Sequence, residues 1–172
     1  ASFLVTACGD DAPPPAPTVA TAEVIRGELT LTRGERVTPV HGPERVEQES
    51  VVATGADGRG VLRMDSGAFV LFDRDSAAVA RLDGLTAQRG RLWVDASNAE
   101  ETAVDTGRGV VRGVEATFAV EHGEGQVRVY CGRGEVTYQS DGGEGRLAQG
   151  ETLVLTDAEA RVEAVELWDD WT

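Results

Sequence analysis

The sequence predicts an all-β protein, and three observations carry that prediction. Apolar and polar residues alternate over strand-length segments, Val and Leu dominate the 41% hydrophobic content, and 21 glycines interrupt the chain at short intervals. About twelve to fourteen strands are expected, at the spacing of sandwiches, barrels or β-solenoids. At 172 residues the chain has room for one domain of ordinary size.

The elements follow in order. Residues 8–22, "CGDDAPPPAPTVATA", show no strand or helix period. Proline holds the backbone extended and removes donors, so this stretch reads as a disordered Pro-rich tether. From Glu23 the alternation starts, and the folded domain is expected over residues 23–167. "EVIRGELTLTRGERVTPV" reads as strands reversed at Arg33-Gly34. "SVVATGADGRGVLRMDSGAFVLFD" gives three strands, broken at Gly55-Ala56-Asp57-Gly58 and at Asp65-Ser66-Gly67. Within it, "AFVLF" (68–72) is apolar at every position and is expected to be a central strand covered on both sides. "DSAAVARL" is the only stretch compatible with a helical turn. Further turns are expected at Asp83-Gly84, Gly123-Glu124-Gly125, Gly132-Arg133-Gly134 and Asp141-Gly142-Gly143. Alternation places Val127, Val129 and Cys131 on one apolar face and Ala116, Phe118 and Val120 on another, with Arg128 and Tyr130 turned the opposite way.

Charge narrows the function. Thirty acidic residues stand against 16 arginines and no lysine, for a net charge of −14. Such a field repels phosphate backbones, so nucleic acid is not an expected partner. His41 and His122 lack neighbours at metal-ligand spacing, and neither a metal nor a cofactor is expected. No carboxylate pair is spaced as acid and base, the glycine-rich runs lack the lysine of a phosphate loop, and no serine has a nucleophile context. A non-enzymatic protein is expected. Cys131 reads as a small buried hydrophobe and His122 as an exposed residue before a turn. Arg63, Arg74, Arg81, Arg91, Arg112 and Arg128 should face solvent or pair with acids.

The N-terminal "LVTAC" has the form of a bacterial lipobox: a branched apolar residue, small residues, then an obligatory cysteine. Residues 1–7 are therefore expected to be the remnant of a lipoprotein signal peptide, with Cys8 the lipidated first residue of the mature protein. Each acyl methylene buried in a bilayer contributes roughly 0.8 kcal/mol, so the multiple chains of a lipoprotein cysteine anchor firmly. Gly9, rather than Asp, after Cys8 favours the outer membrane. Residues 168–172 form a tail in which Trp168 and Trp171 are a possible interaction surface, by packing on the sheet or by stacking on glycans. Trp93, in "RLWVD", is expected to be core.

Taken in order, "GELTLTRGERVTPV", "VVATGADGRGVLRMDSGAFVLFDRDS", "LTAQRGRLWVDA", "AVDTGRGVVRGVEATFAVEHGEG", "VRVYCGRGEVTY" and "RLAQGETLVL" resemble the FecR domain of bacterial envelope signalling proteins. One departure stands out: the family's Gly-Thr before Phe is Ala116-Thr117-Phe118 here, preceded by an extra Glu115. The resemblance implies a twisted β-solenoid-like stack of short antiparallel strands and hairpins on the periplasmic side, acting as a protein-interaction or signalling module. Its expected partner is an envelope protein. The alternatives are a periplasmic regulator of a sigma factor, in signalling linked to an iron-siderophore receptor, and a structural or glycan-binding envelope protein.

Overall fold

The computed structural model describes residues 15–164, and among them every regular element is a strand. Alternation and turn chemistry dictate the elements locally; pairing across the chain decides their arrangement. Two long strands, β12 (Val110–Gly123) and β13 (Gln126–Ser140), form a hairpin reversed at Glu124-Gly125. This hairpin is the spine of the molecule. The first half of β12 pairs with β11 (Thr102–Asp105), and the second half pairs with β10 (Arg91–Asp95).

From that division the sheet extends in two directions. Beyond β11 come β9 (Gly84–Arg89), β8 (Ala77–Arg81), β5 (Val51–Thr54), β2 (Leu29–Arg33) and β3 (Arg36–Pro39). Beyond β10 come β7 (Phe69–Phe72), β6 (Arg59–Met64), β1 (Thr18–Arg26) and β4 (Glu44–Glu47). On the far side of β13, its second half pairs with β14 (Gly143–Ala148) and its first half with β15 (Glu151–Leu155), which in turn carries β16 (Ala160–Ala164). All pairings are antiparallel except β9 with β11.

The result is a strongly curled open sheet, a half-barrel. The all-β class is as expected, whereas a solenoid is not shown by this arrangement. One apolar cluster fills the concave side, drawing Leu29, Leu31 and Val52 from one half and Leu62, Phe72 and Leu92 from the other, with Phe118 and Val129 on the spine. Contact across it is close: a Cβ on Gly60 would lie 2.8 Å from a methyl carbon of Leu29. Burying a large aliphatic or aromatic side chain contributes about 1.5–3 kcal/mol, so this shared interior holds the two halves together.

The structure corrects several expectations. Strand β1 begins at Thr18, inside the expected tether of residues 8–22, because Val19, Ala20 and Ala22 find a buried face against β4 and β6. "DSAAVARL" forms no helical turn; its centre is β8, buried at Ala77, Ala78, Val79 and Ala80. Strand β7 is interior to the sheet but covered fully on one side alone: Val70 and Phe72 are buried, Phe69 and Leu71 half-buried.

Gly132-Arg133-Gly134 is no turn either, and lies within β13. The extra Glu115 explains it. The register between β12 and β13 shifts between Val114 and Thr117, and Glu115 takes φ +49° opposite Gly134 at φ +75°. An added residue in one strand is a β-bulge, which bends the pair and tightens its twist. The bulge is where both long strands pass from one half of the sheet to the other. A Cβ at Gly134 would stand 2.9 Å from the Glu115 carbonyl oxygen, so glycine permits both the conformation and the approach.

Candidate functional site

The registers place three cross-strand rows on the convex face of the β1–β6–β7–β10–β12–β13–β15 half, opposite the core. The middle row runs Val61, Leu71, Trp93, Ala119, Tyr130, Thr152. Trp93 is thus on the outer face and half-buried, not in the core as its apolar neighbours suggested. Its ring reaches across β12: a Cβ on Gly132 would lie 2.8 Å from Trp93 Cη2. Leu71 beside it is half-buried, while Val61, Ala119 and Tyr130 are buried.

A charged row flanks this apolar one. Asp73, Arg91, Glu121 and Arg128 succeed one another across neighbouring strands, alternating in sign. At its start, Arg59 Nε donates to Asp73 Oδ1 and Arg91 Nη2 to Asp73 Oδ2, each at 3.1 Å. The Asp73 side chain is 6% exposed. Two polar side chains brace the backbone beneath it. Thr54 Oγ1 donates to the Asp73 carbonyl and accepts from the Ser76 N–H, while Ser76 Oγ accepts from the Arg91 N–H. A buried carboxylate needs such pairing. Two guanidinium groups hold Asp73 in place from two different strands.

The third row holds Arg63, Phe69, Asp95 and Thr117, with the Arg63 guanidinium 5.1 Å above the Phe69 ring centroid. Aromatic and arginine side chains set together on one face are the residue types that dominate binding at protein interfaces. Sequence reasoning treated the arginines singly and missed the rows. The spacing that could have shown them is non-local, since Arg59, Asp73 and Arg91 come from three strands.

The other predicted residues are dispersed. Cys8, Trp168 and Trp171 lie outside the described residues. Cys131 is buried, as expected, with Sγ 3.5 Å from the Gly134 carbonyl oxygen, and burial pushes its thiol pKa up. His41 is exposed. His122 is half-buried instead of exposed: its backbone N–H donates to the Gly90 carbonyl at 2.9 Å, and the residue lines a concavity of about 360 Å³ together with Asp73, Arg91 and Glu121. Burial, and then the Arg108 charge, lower its pKa. Arg81 pairs with Glu49 and Arg112 with Glu101, while Arg63 and Arg74 are exposed. Among the described residues no three His, Cys, Asp or Glu side chains converge as a metal site would require, and no helix is long and apolar enough to cross a membrane.

No protein-family model and no curated protein matches this chain. Solved structures do. Two crystal structures of a candidate anti-sigma factor from Parabacteroides distasonis ATCC 8503 superpose with TM-scores of 0.58 and 0.59 at 13% identity. The likeness is one of fold. It covers 66% of this chain and 59% of that protein, so the chain spans less than two thirds of its length.

Proposed function

We propose that this chain is a signalling domain of the bacterial cell envelope that binds another protein through the Trp93 face, catalyses no reaction, and is held at a membrane by lipid on Cys8. The fold shared with a candidate anti-sigma factor carries the signalling reading. The FecR-type motif series agrees with it and supports a periplasmic location. The lipobox at residues 4–8 supports the anchor, and Gly9 the outer membrane. The rows of Leu71, Trp93 and arginines supply the chemistry of a protein interface, with charges alternating closely enough to fix a partner's orientation.

The description of the structural neighbours favours a second reading, in which the domain regulates a sigma factor by relaying an envelope signal. It differs from the first in requiring cytosolic output. A reporter for the sigma factor's promoter, measured with and without this protein, separates them.

The interface is tested in the native bacterium by placing a photo-crosslinking residue at Leu71 or Phe69 on the Trp93 face, and at Val37 or Leu82 away from it. One discrete envelope protein captured from the first pair alone is the expected result. Equal capture from all four positions would remove the Trp93 face as the binding surface. The anchor is tested by metabolic labelling with a palmitate analogue, and undiminished labelling of Cys8→Ala would rule out Cys8.

A further inference from the structure

Charge is distributed unevenly between the two halves of the sheet. Away from the Trp93 face, Arg81 is matched with Glu49, Arg108 with Asp157, Arg112 with Glu101 and Arg146 with Glu135, one carboxylate to each. On the Trp93 face a single carboxylate, Asp73, serves both Arg59 and Arg91, and the Arg63 guanidinium lies over the Phe69 ring.

The rows extend this imbalance. Between β6 and β13 the two outer rows hold Arg59, Arg91 and Arg128, and Arg63 and Arg133, against Asp73, Glu121 and Asp95. The chain as a whole has 16 arginines and 30 acids, so these rows reverse its balance. The row between them, from Val61 through Leu71 and Trp93 to Tyr130, carries no charge. Arg63 and Arg133 are exposed at the two ends of their row, on β6 and β13. Four strand spacings of about 4.8 Å put them about 19 Å apart, the reach of about six extended residues.

An apolar centre with arginines around it has the anatomy of a protein interface. A uniform polyanion suits it poorly, because Asp95 and Glu121 stand within the rows and the net charge of −14 repels such a ligand. Separate carboxylates on a polypeptide can be spaced past those acids, and each can accept two bonds from a guanidinium fork. Apolar side chains between them would cover Leu71 and Trp93.

We propose that the Trp93 face takes an acidic segment of its partner protein, whose carboxylates meet Arg63 and Arg133 and whose apolar side chains lie on Leu71 and Trp93, a proposal that rests on the reading of this face as an interface. Opposite charge on the two surfaces then guides the encounter and fixes the orientation of the segment, while the apolar row supplies the contact that holds it.

Photo-crosslinking from Leu71 in the native bacterium, with mass spectrometry of the joined peptide, tests the proposal. The captured segment is expected to have Asp or Glu on both sides of apolar residues. Replacing both arginines, Arg63→Glu and Arg133→Glu, should cut the yield about tenfold by setting like charges against each other, and reversing the captured acids to arginine should restore it. Both positions are exposed, and Arg63→Gln with Arg133→Gln, expected to lower the yield about threefold, serves if the reversal unfolds the chain. A captured segment that is basic or uncharged, a second copy of this chain in its place, or a yield that neither pair of substitutions lowers would overturn the proposal and leave the interface standing. So would sedimentation of the Cys8→Ala protein with phosphatidylglycerol vesicles that is lost in the same double variants, which would assign the arginines to lipid. No capture from either Leu71 or Phe69 would instead remove the interface itself, and the acidic partner with it.

Discussion

Replacing Asp73 tests whether the charged row holds the convex face together. Its carboxylate, 6% exposed, accepts from Arg59 and Arg91, whose side chains are 38% and 18% exposed. Charge-assisted hydrogen bonds contribute about 1.5–3 kcal/mol each, and breaking a fully buried pair costs about 3–5 kcal/mol. The Arg91 bond belongs near the upper end. The Arg59 bond is partly screened and belongs near the 0–1 kcal/mol of exposed pairs. Asp73→Ala should therefore lose about 3 kcal/mol. For a domain of this size each kcal/mol lowers Tm by about 2–4 °C, so a fall of about 6–12 °C is expected. Urea denaturation followed by circular dichroism reads the same loss as a lower midpoint at unchanged slope. A double-mutant cycle with Asp73→Asn apportions it, and coupling to Arg91→Met should exceed coupling to Arg59→Met. A loss below about 1 kcal/mol, or equal coupling to the two arginines, would refute the reasoning by making the cluster an ordinary surface pair.

Three further outcomes follow from the geometry. Gly134→Ala puts a side chain at φ +75° and 2.9 Å from the Glu115 carbonyl; a loss of about 1–3 kcal/mol by urea denaturation is expected, and an unchanged midpoint would mean the bulge shifts freely. Cys131, buried and with a raised pKa, should resist iodoacetamide at pH 8 in folded Cys8→Ala protein and react readily once unfolded; fast labelling of the folded form would show an open strand pair. His122 should titrate below 6.5 by NMR, since burial and then Arg108 disfavour its charged form. A lowered pKa means the unfolded chain takes the proton first, so the stability due to His122 is whole above pH 6.5 and declines as pH falls through 6.5 toward the folded value. His122→Gln should flatten that slope, and an unaltered slope would place its origin elsewhere.

The local pattern of this chain was legible because alternation and turn residues act over a few positions. Val127, Val129 and Cys131 face the interior as their spacing says, as do Ala116, Phe118 and Val120. The turns at Gly55–Gly58, Asp65–Gly67 and Gly123–Gly125 also form where the residues call for them. Glu115 was visible as an extra residue, yet its effect depends on a partner strand, which turned the supposed turn at Gly132–Gly134 into a bulge. Trp93 shows the same limit. Its apolar neighbours suggest a core position, but the face it takes is set by the register of β10 between β7 and β12, and a one-residue difference in register would reverse it.

What the sequence determined by itself is the all-β class, most turns and the inward residues of strands such as β12 and β13, all consequences of backbone geometry at short range. What tertiary structure decided is which strands meet. That choice divides the sheet at β12, curls it around one core, buries Asp73 between arginines 14 residues before it and 18 after it, and assembles Leu71, Trp93 and Tyr130 into one outer row. Those contacts join residues far apart in sequence, and each forms only when burial of a shared apolar interior offsets the entropy of closing the loops between them.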